Sequence, residues 1–392
     1  MNMEDQNLSN LYQKFPVKID RGKGARVWDT SGKEYIDCMG GYGVALIGHC
    51  NPRVVEAIKN QVEKLIVCHI SLYNDTREHF LRKMKDIAPQ GLNQIFFSNS
   101  GAEAVEAALK FSRRYTGKPG IISMSGGYHG KTFGALSVTY SEKYRKPFMP
   151  LLEGTKFLPY TTTQIEDAID DNIGAVIVEP IQGETGIILP PEGLLQHMRE
   201  VCTKHGIVLI FDEIQSGLGR TGKMWAGEHW KTVPDIMCLA KGASGGVPIG
   251  LTLSKPEIVK TLRVGEHSST FGGNPLACAA GAATIDALKE DKLVENAANV
   301  GTYFRDGLLA LKEKHIVVRE VRGKGMMLAL ELRFDVRNLL LDGLRCGLLM
   351  LYSGKNILRL LPPLVMDKET ISAALEIMDN LLLAEEKRRN VS

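Results

Sequence analysis

Neither a strong charge imbalance nor a long apolar run marks this chain of 392 residues. Its 48 lysines and arginines nearly balance 45 aspartates and glutamates, leaving +3 with the histidines neutral. Nucleic-acid binding draws on concentrated basic surface, and so mild a balance gives no reason to invoke it. No apolar stretch approaches the ~20 residues of a membrane-spanning helix, so a membrane protein is not expected. The start, Met1-Asn-Met-Glu-Asp-Gln6, is polar and acidic and lacks the basic and apolar regions of a secretory signal. The nine histidines are scattered, without a metal-ligand spacing between any two. The seven cysteines (Cys38, Cys50, Cys68, Cys202, Cys238, Cys278 and Cys346) are odd in number and never spaced Cys-x-x-Cys. That removes zinc ribbons and thioredoxin-like motifs and leaves the expectation of buried, reduced thiols in a cytoplasmic protein. Internal repeats, low-complexity tracts and long linkers are missing as well.

What the chain does have is apolar residues, 44% of the total, enough for a large core. Short apolar runs without alternation, Gln94–Phe97, Ile121–Met124, Ala175–Val178, Ile207–Phe211 and Ile236–Leu239, predict strands buried on both faces. Helical segments are predicted between them at Ala102–Tyr115, Thr163–Ile169 and Leu194–Lys204. Alternation of this kind predicts a three-layer α/β domain with a mainly parallel sheet. Beyond about residue 288 the pattern clusters instead: a helix over Leu293–Lys312, strands at Val317–Val321 and Met326–Glu331, and a helix over Lys368–Ala384. Near the start, Arg26–Asp29 and Glu34–Asp37 flank Thr30-Ser31-Gly32 as a hairpin.

Two strand ends carry chemistry. The run Ile207-Val-Leu-Ile-Phe ends in Asp212-Glu213, and ligands bind at the carboxyl ends of strands in open α/β sheets. A magnesium-holding acidic pair would need a phosphate-binding Gly-x-x-x-x-Gly-Lys-Ser/Thr loop, which the chain lacks; a turn cap stays open as an alternative. The next predicted strand delivers Lys241 into Gly242-Ala-Ser-Gly-Gly246. Desolvation lowers an amine's pKa and makes it a competent Schiff-base nucleophile, whereas a lone strand-end lysine is more often a surface group. Beside an Asp on a neighbouring strand end, the lysine fits pyridoxal-phosphate chemistry, which needs that amine and a carboxylate against the pyridinium nitrogen. Ser98-Asn99-Ser100-Gly101-Ala102 follows a strand and opens a helix, where small residues let backbone amides approach a phosphate. Ser and Asn also cap helices that bind nothing. Tyr128, in Gly126-Gly-Tyr-His-Gly130, is either a ring-stacking group or a buried structural tyrosine.

Taken together these motifs resemble the class III (ω-amino acid) aminotransferases over nearly the whole chain. The resemblance runs through Gly48-His-Cys-Asn-Pro52, Asn99-Ser-Gly-Ala-Glu-Ala104, Tyr128-His-Gly130 and Glu179-Pro-Ile-Gln-Gly-Glu184. It continues with Asp212-Glu-Ile-Gln215 to Gly222, Lys241, Ser269-Thr-Phe-Gly-Gly-Asn-Pro-Leu276, Arg322-Gly-Lys-Gly325 and Leu358-Arg-Leu-Leu-Pro-Pro363. It implies the fold-type I architecture of pyridoxal-phosphate enzymes, with a small α+β domain built from both termini: residues 1–48, then a large domain at 49–288, then 289–392. It also implies a homodimer with shared active sites. Ser100, Gly101 and Ala102 would hold the phosphate, and Thr270 would reach the phosphate of the neighbouring subunit. Tyr128 would stack on the ring, where the family more often has phenylalanine. Asp212 would pair with the ring nitrogen, Gln215 with the phenolic oxygen, and Lys241 would carry the cofactor and shuttle protons.

For substrates, the resemblance puts Arg359 where the α-carboxylate of glutamate or 2-oxoglutarate is bound, through a fork that lysine does not reproduce. Glu184 falls where some members carry a gate that neutralises this arginine for the ω-amine substrate and swings away for glutamate. Glu179, opening the same motif, is expected on the substrate side. Lys131 stands where many acetylornithine and ornithine members have an arginine for the distal carboxylate; putrescine aminotransferases have lysine there. The expected reaction moves the terminal amine of N-acetylornithine, or of a lysine or ornithine precursor linked to an amino-group carrier protein, to 2-oxoglutarate. Rival readings are a 4-aminobutyrate or putrescine aminotransferase and an amino-acid racemase on the same cofactor. A non-enzymatic regulator would need a DNA-binding domain, for which the sequence leaves no room outside the catalytic unit.

Overall fold

Strands that are apolar on both faces need cover on both, and that requirement shapes the molecule. The computed structural model describes residues 3–9, 11–161 and 164–390. Three strands come first: β1 (Ile19–Lys23), β2 (Arg26–Asp29) and β3 (Glu34–Asp37). The middle of the chain supplies β4 (Gln94–Ser98), β5 (Gly120–Met124), β6 (Thr155–Leu158), β7 (Ile173–Val178), β8 (Val208–Asp212), β9 (Ile236–Leu239) and β10 (Gly250–Ser254). The last are β11 (Val318–Lys324), β12 (Met327–Leu332), β13 (Leu348–Leu349), β14 (Leu351–Ser353) and β15 (Ile357–Leu360).

The middle strands form one sheet in the order β4-β10-β9-β8-β7-β5-β6, in which only β10 runs against its neighbours. Alternation along β8 divides it between two layers. Val208 and Ile210 pack with Ala104, Ala107 and Ala108 of helix Gly101–Thr116, while Leu209 and Phe211 pack with Leu195 and Met198 of helix Leu194–Lys204. Met237 and Leu239 of β9, with Leu251 and Leu253 of β10, join the core that helix Pro275–Glu290 covers. Side chains buried this fully contribute roughly 1.5–3 kcal/mol each. The result is the expected three-layer α/β architecture of fold-type I.

The chain ends meet. Leu348–Leu349 of β13 pair in parallel with Ile36–Asp37 of β3, completing the sheet β1-β2-β3-β13. The antiparallel sheet β11-β12-β15-β14 carries Arg359 on β15.

Two expectations need correction, and two strands were not expected. In place of a helix over Thr163–Ile169 there is one short 3₁₀ turn, Glu166–Ala168; Thr163 lies outside the described residues. Asp170 ends the turn, accepting Asn172 N at 2.8 Å and Lys156 Nζ at 2.7 Å, and the chain enters β7. The edge strand β6 and the antiparallel β10 carry too short an apolar signature to stand out in the sequence. Nor are all the cysteines buried: Cys50, in a turn, and Cys346, at a helix end, are exposed, and Cys68, in an irregular stretch, is half-buried.

One strained turn lies against the end of β15. Gly40, Gly41, Tyr42 and Gly43 all have left-handed backbone, with φ of 55, 57, 60 and 86°. Asp37 Oδ1 accepts the amides of Met39 at 2.9 Å and Gly40 at 2.8 Å. From the other side, fully buried Arg220 donates to Gly43 O at 3.5 Å, to Met326 O at 3.1 Å and to Pro362 O. A Cβ at Gly40 would collide with the carbonyl oxygen of Leu361. Gly40→Ala should therefore destabilise the protein by about 1–3 kcal/mol, the usual range for such strain. Urea unfolding checks this; an unchanged midpoint would mean that the turn relaxes freely.

Candidate active site

The carboxyl ends of β4, β5, β7, β8 and β9 open on one cavity of about 530 Å³. Of the residues singled out in the sequence, Ser100, Gly101, Ala102, Tyr128, Lys131, Glu179, Glu184, Asp212, Gln215 and Lys241 line it. Arg359 stands behind Glu184, and Thr270 is exposed outside the lining.

Ser100 caps helix Gly101–Thr116. Its hydroxyl accepts the Glu103 amide at 3.2 Å and its carbonyl accepts Ala104 N at 3.1 Å. The amides of Gly101 and Ala102 come before these two bonds, at the open helix start where the dipole favours an anion.

Asp212 ends β8 with only 4% of its surface exposed. Its Oδ2 lies 2.8 Å from His129 Nδ1, and its Oδ1 accepts Ile214 N at 3.1 Å. His129 Nε2 is buried without a partner. Sequence reasoning quoted His129 but gave it no role, because its partner is 83 positions away and only the sheet brings the two together. A carboxylate against one ring nitrogen fixes the imidazole, and the imidazole in turn fixes the carboxylate.

Glu179, just after β7, is also buried. Its Oε1 accepts Tyr128 N and its Oε2 accepts Gly183 N, both at 2.9 Å. Burial pushes its carboxyl up to about 7; His129 opposes the rise and Asp212 adds to it. Lys241 has left-handed backbone (φ 47°), unusual for a residue with a long side chain. Burial lowers its ammonium below the usual lysine value, against the pull of Glu184, Asp212 and Glu179. An amine held this way is available as a nucleophile.

At the cavity wall, Arg359 grips Glu184 with both arms, Nη1–Oε1 at 2.7 Å and Nη2–Oε2 at 3.2 Å. Arg359 is 1% exposed and also donates to Gly183 O at 3.1 Å and Tyr352 O at 3.3 Å. Burial would raise the Glu184 carboxyl, but the guanidinium outweighs it and holds the group below the ordinary carboxylate range. The charge of Glu184 acts on the phenols of Tyr42, Tyr128 and Tyr144, and the exposed Lys131 ammonium sits 4.7 Å from the centre of the Tyr144 ring.

The family "Aminotransferase class-III" matches residues 8–382. This chain belongs to it. The acetylornithine aminotransferase of Methanopyrus kandleri is 46% identical to this aminotransferase over 96% of this chain and 97% of its own. Ornithine aminotransferase 1 of Staphylococcus aureus is 41% identical over 94% and 95%. The crystal structure of the Toxoplasma gondii ornithine aminotransferase superposes with a TM-score of 0.94 at 34% identity, covering 98% of this chain and 94% of that one. The enzyme is thus a transaminase that uses pyridoxal phosphate.

The residues present fit that cofactor. Gln215 Oε1 and His129 Nε2 are buried without partners at the cavity, and the helix start offers free amides. Gly130 (φ 134°) brings its backbone so close to the helix start that a Cβ would come within 2.8 Å of Ala102 Cβ. Among the described residues no cluster of metal-binding side chains occurs, and no helix is long and apolar enough to cross a membrane.

The neighbouring carboxylate, Glu213, points elsewhere. Its oxygens accept Ala226 N at 2.7 Å and Gly227 N at 2.9 Å. Burial pushes it up to about 7 from an ordinary 4.5, although those two amides pull downward. Between these values the folded chain keeps a proton that the unfolded chain releases. The resulting stability is complete below about pH 4.5 and is lost as pH rises through about 7. Glu213→Gln should flatten that part of the stability profile, by at most on the order of 1.4 kcal/mol per pH unit. Melting curves from about pH 5 to 8 measure it; a parental slope in the variant would show that Glu213 titrates normally.

Proposed function

We propose that this enzyme moves the terminal amino group of N-acetylornithine, or of a carrier-linked lysine or ornithine precursor, to 2-oxoglutarate, giving the semialdehyde and glutamate. The observation that carries the reading is the two-armed Glu184–Arg359 pair in the wall of the Lys241 cavity. Relatives named acetylornithine and ornithine aminotransferase support a δ-amino donor of the ornithine type. With Arg359 neutralised, the pocket accepts an uncharged-end amine; with Glu184 displaced, the guanidinium receives the α-carboxylate of glutamate or 2-oxoglutarate. Lys131, at the exposed side of the cavity, is suited to a more distal carboxylate.

Bound pyridoxal phosphate supplies an electrophilic carbonyl and an electron sink. In this reading Ser100 and the amides of Gly101 and Ala102 hold its phosphate. Tyr128 covers one ring face, and Gln215 meets the phenolic oxygen. Asp212, oriented by His129, keeps the ring nitrogen protonated. Lys241 holds the group covalently and, once freed, moves a proton at the substrate carbon. Glu179 borders the substrate and fixes the Tyr128 amide. Thr270, exposed in the single chain, would reach the phosphate site of a second subunit in a homodimer. The same reading divides the chain into a small unit from residues 1–48 and 289–392 around a large unit at 49–288, and puts the enzyme in the cytoplasm.

Borohydride reduction of the yellow holoenzyme should abolish its visible absorbance, and peptide mass spectrometry should find phosphopyridoxyl on Lys241. A label on another lysine would refute the site. For the substrate, Arg359→Lys should slow the glutamate half-reaction by about 2–5 kcal/mol of lost pairing, and the ω-amine half far less. Single-turnover absorbance with N-acetylornithine, 4-aminobutyrate, putrescine and glutamate in turn measures this. Equal slowing of both halves would reduce Arg359–Glu184 to a structural ion pair.

A further inference from the structure

A carboxylate that leaves Arg359 gives up a two-armed contact and is favoured by another donor within the cavity. Its backbone carries it nowhere. Glu184 belongs to the hairpin Gln182–Ile188, closed by reciprocal bonds between Gln182 and Ile188, each 3.0 Å. Arg322 Nε donates to Gly186 O at 2.9 Å, Ser353 donates to the carbonyl of Glu184 itself, and Arg359 holds Gly183 O. Buried Ile187 has φ 58°, a conformation that only such fixation maintains in a β-branched residue. Release of Arg359 is therefore a rotation of the Glu184 side chain alone. Gln215 already helps to hold the carboxylate low in the paired state and offers no new destination.

Three tyrosines are close enough for the charge of Glu184 to act on their phenols. Burial raises Tyr42, Tyr128 and Tyr144 first, and Glu184 adds to the rise in each. Arg359 opposes it at Tyr42 and Tyr144 but is not among the dominant charges at Tyr128, which burial and Glu184 push up to about 12. Tyr128 shares the cavity wall with Glu184, its ring stands edge-on to Tyr144 at 5.9 Å, and its hydroxyl has no hydrogen-bond partner among the described residues.

Resting on the gate reading above, we propose that the Tyr128 hydroxyl is the second seat of Glu184, donating a hydrogen bond to its carboxylate whenever a substrate carboxylate occupies Arg359. Covering a cofactor ring needs only an aromatic face, and the phenylalanine more usual in the family provides one. The hydroxyl at this position is what the stacking role leaves unexplained.

Glutarate, a dicarboxylate without a group to transaminate, is the probe, titrated calorimetrically into holoenzyme carrying its cofactor in the amine form. Tyr128→Phe keeps the ring and deletes the donor. It should raise the glutarate Kd about tenfold where Glu184 is present, and less than about twofold in a Glu184→Ala background. Equal weakening in both backgrounds, or none in either, overturns the proposal. Glu184→Ala alone reports on the gate, since freeing Arg359 should tighten glutarate binding. If it does not, the gate fails and the second seat with it. If it does while Tyr128→Phe changes nothing, only the second seat is lost.

Discussion

Arg359, with 1% of its surface exposed, sets its buried charge against a carboxylate, and that pairing organises one wall of the pocket. Arg359 is fixed on β15 between two backbone carbonyls, so its charge does not move. Only its partner can change. Glu184 fills the role with a two-armed contact, and any substrate carboxylate that replaces it has to offer the same geometry. Under the proposed gate, a single pocket would serve ligands of different charge without altering its walls.

The walls are accordingly rigid. The hairpin Gln182–Ile188 is bonded at both ends and along its backbone. On the other side the left-handed turn 40–43 is held by Asp37 through amides and by Arg220 through a carbonyl. Arg220 is itself a buried cation whose Nη atoms donate to backbone oxygens while its Nε has no partner, and burial lowers it to about 9. These contacts fix backbone positions, while the Glu184 side chain, about a third exposed, is held through its carboxylate by Arg359.

Much of this was legible from residues near one another in sequence. The apolar runs ending at Asp212 and Lys241 marked β8 and β9, and the small residues from Ser98 to Ala102 marked a strand-to-helix turn. Local composition decides such features. His129 and Arg220 were not legible, because each acquires its meaning from partners brought by the sheet or by another chain segment. The expected helix at 163–169 failed for a related reason. Its Ile165, Ala168 and Ile169 spacing is helical, but Asp170 turns the chain directly into β7.

The adjacent acids Asp212 and Glu213 were inseparable in the sequence, and strand geometry separates them. Successive side chains at a strand end point to opposite faces. Asp212 enters the cavity and meets His129, a partner that holds it without consuming every lone pair. Glu213 turns into the layer behind, where the amides of Ala226 and Gly227 hold both its oxygens and burial favours its protonated form. A carboxyl so placed can anchor the loop that follows Trp225 but cannot present a permanent negative charge. Of the two, only Asp212 presents a carboxylate to the cavity, because of the face of the sheet each side chain occupies.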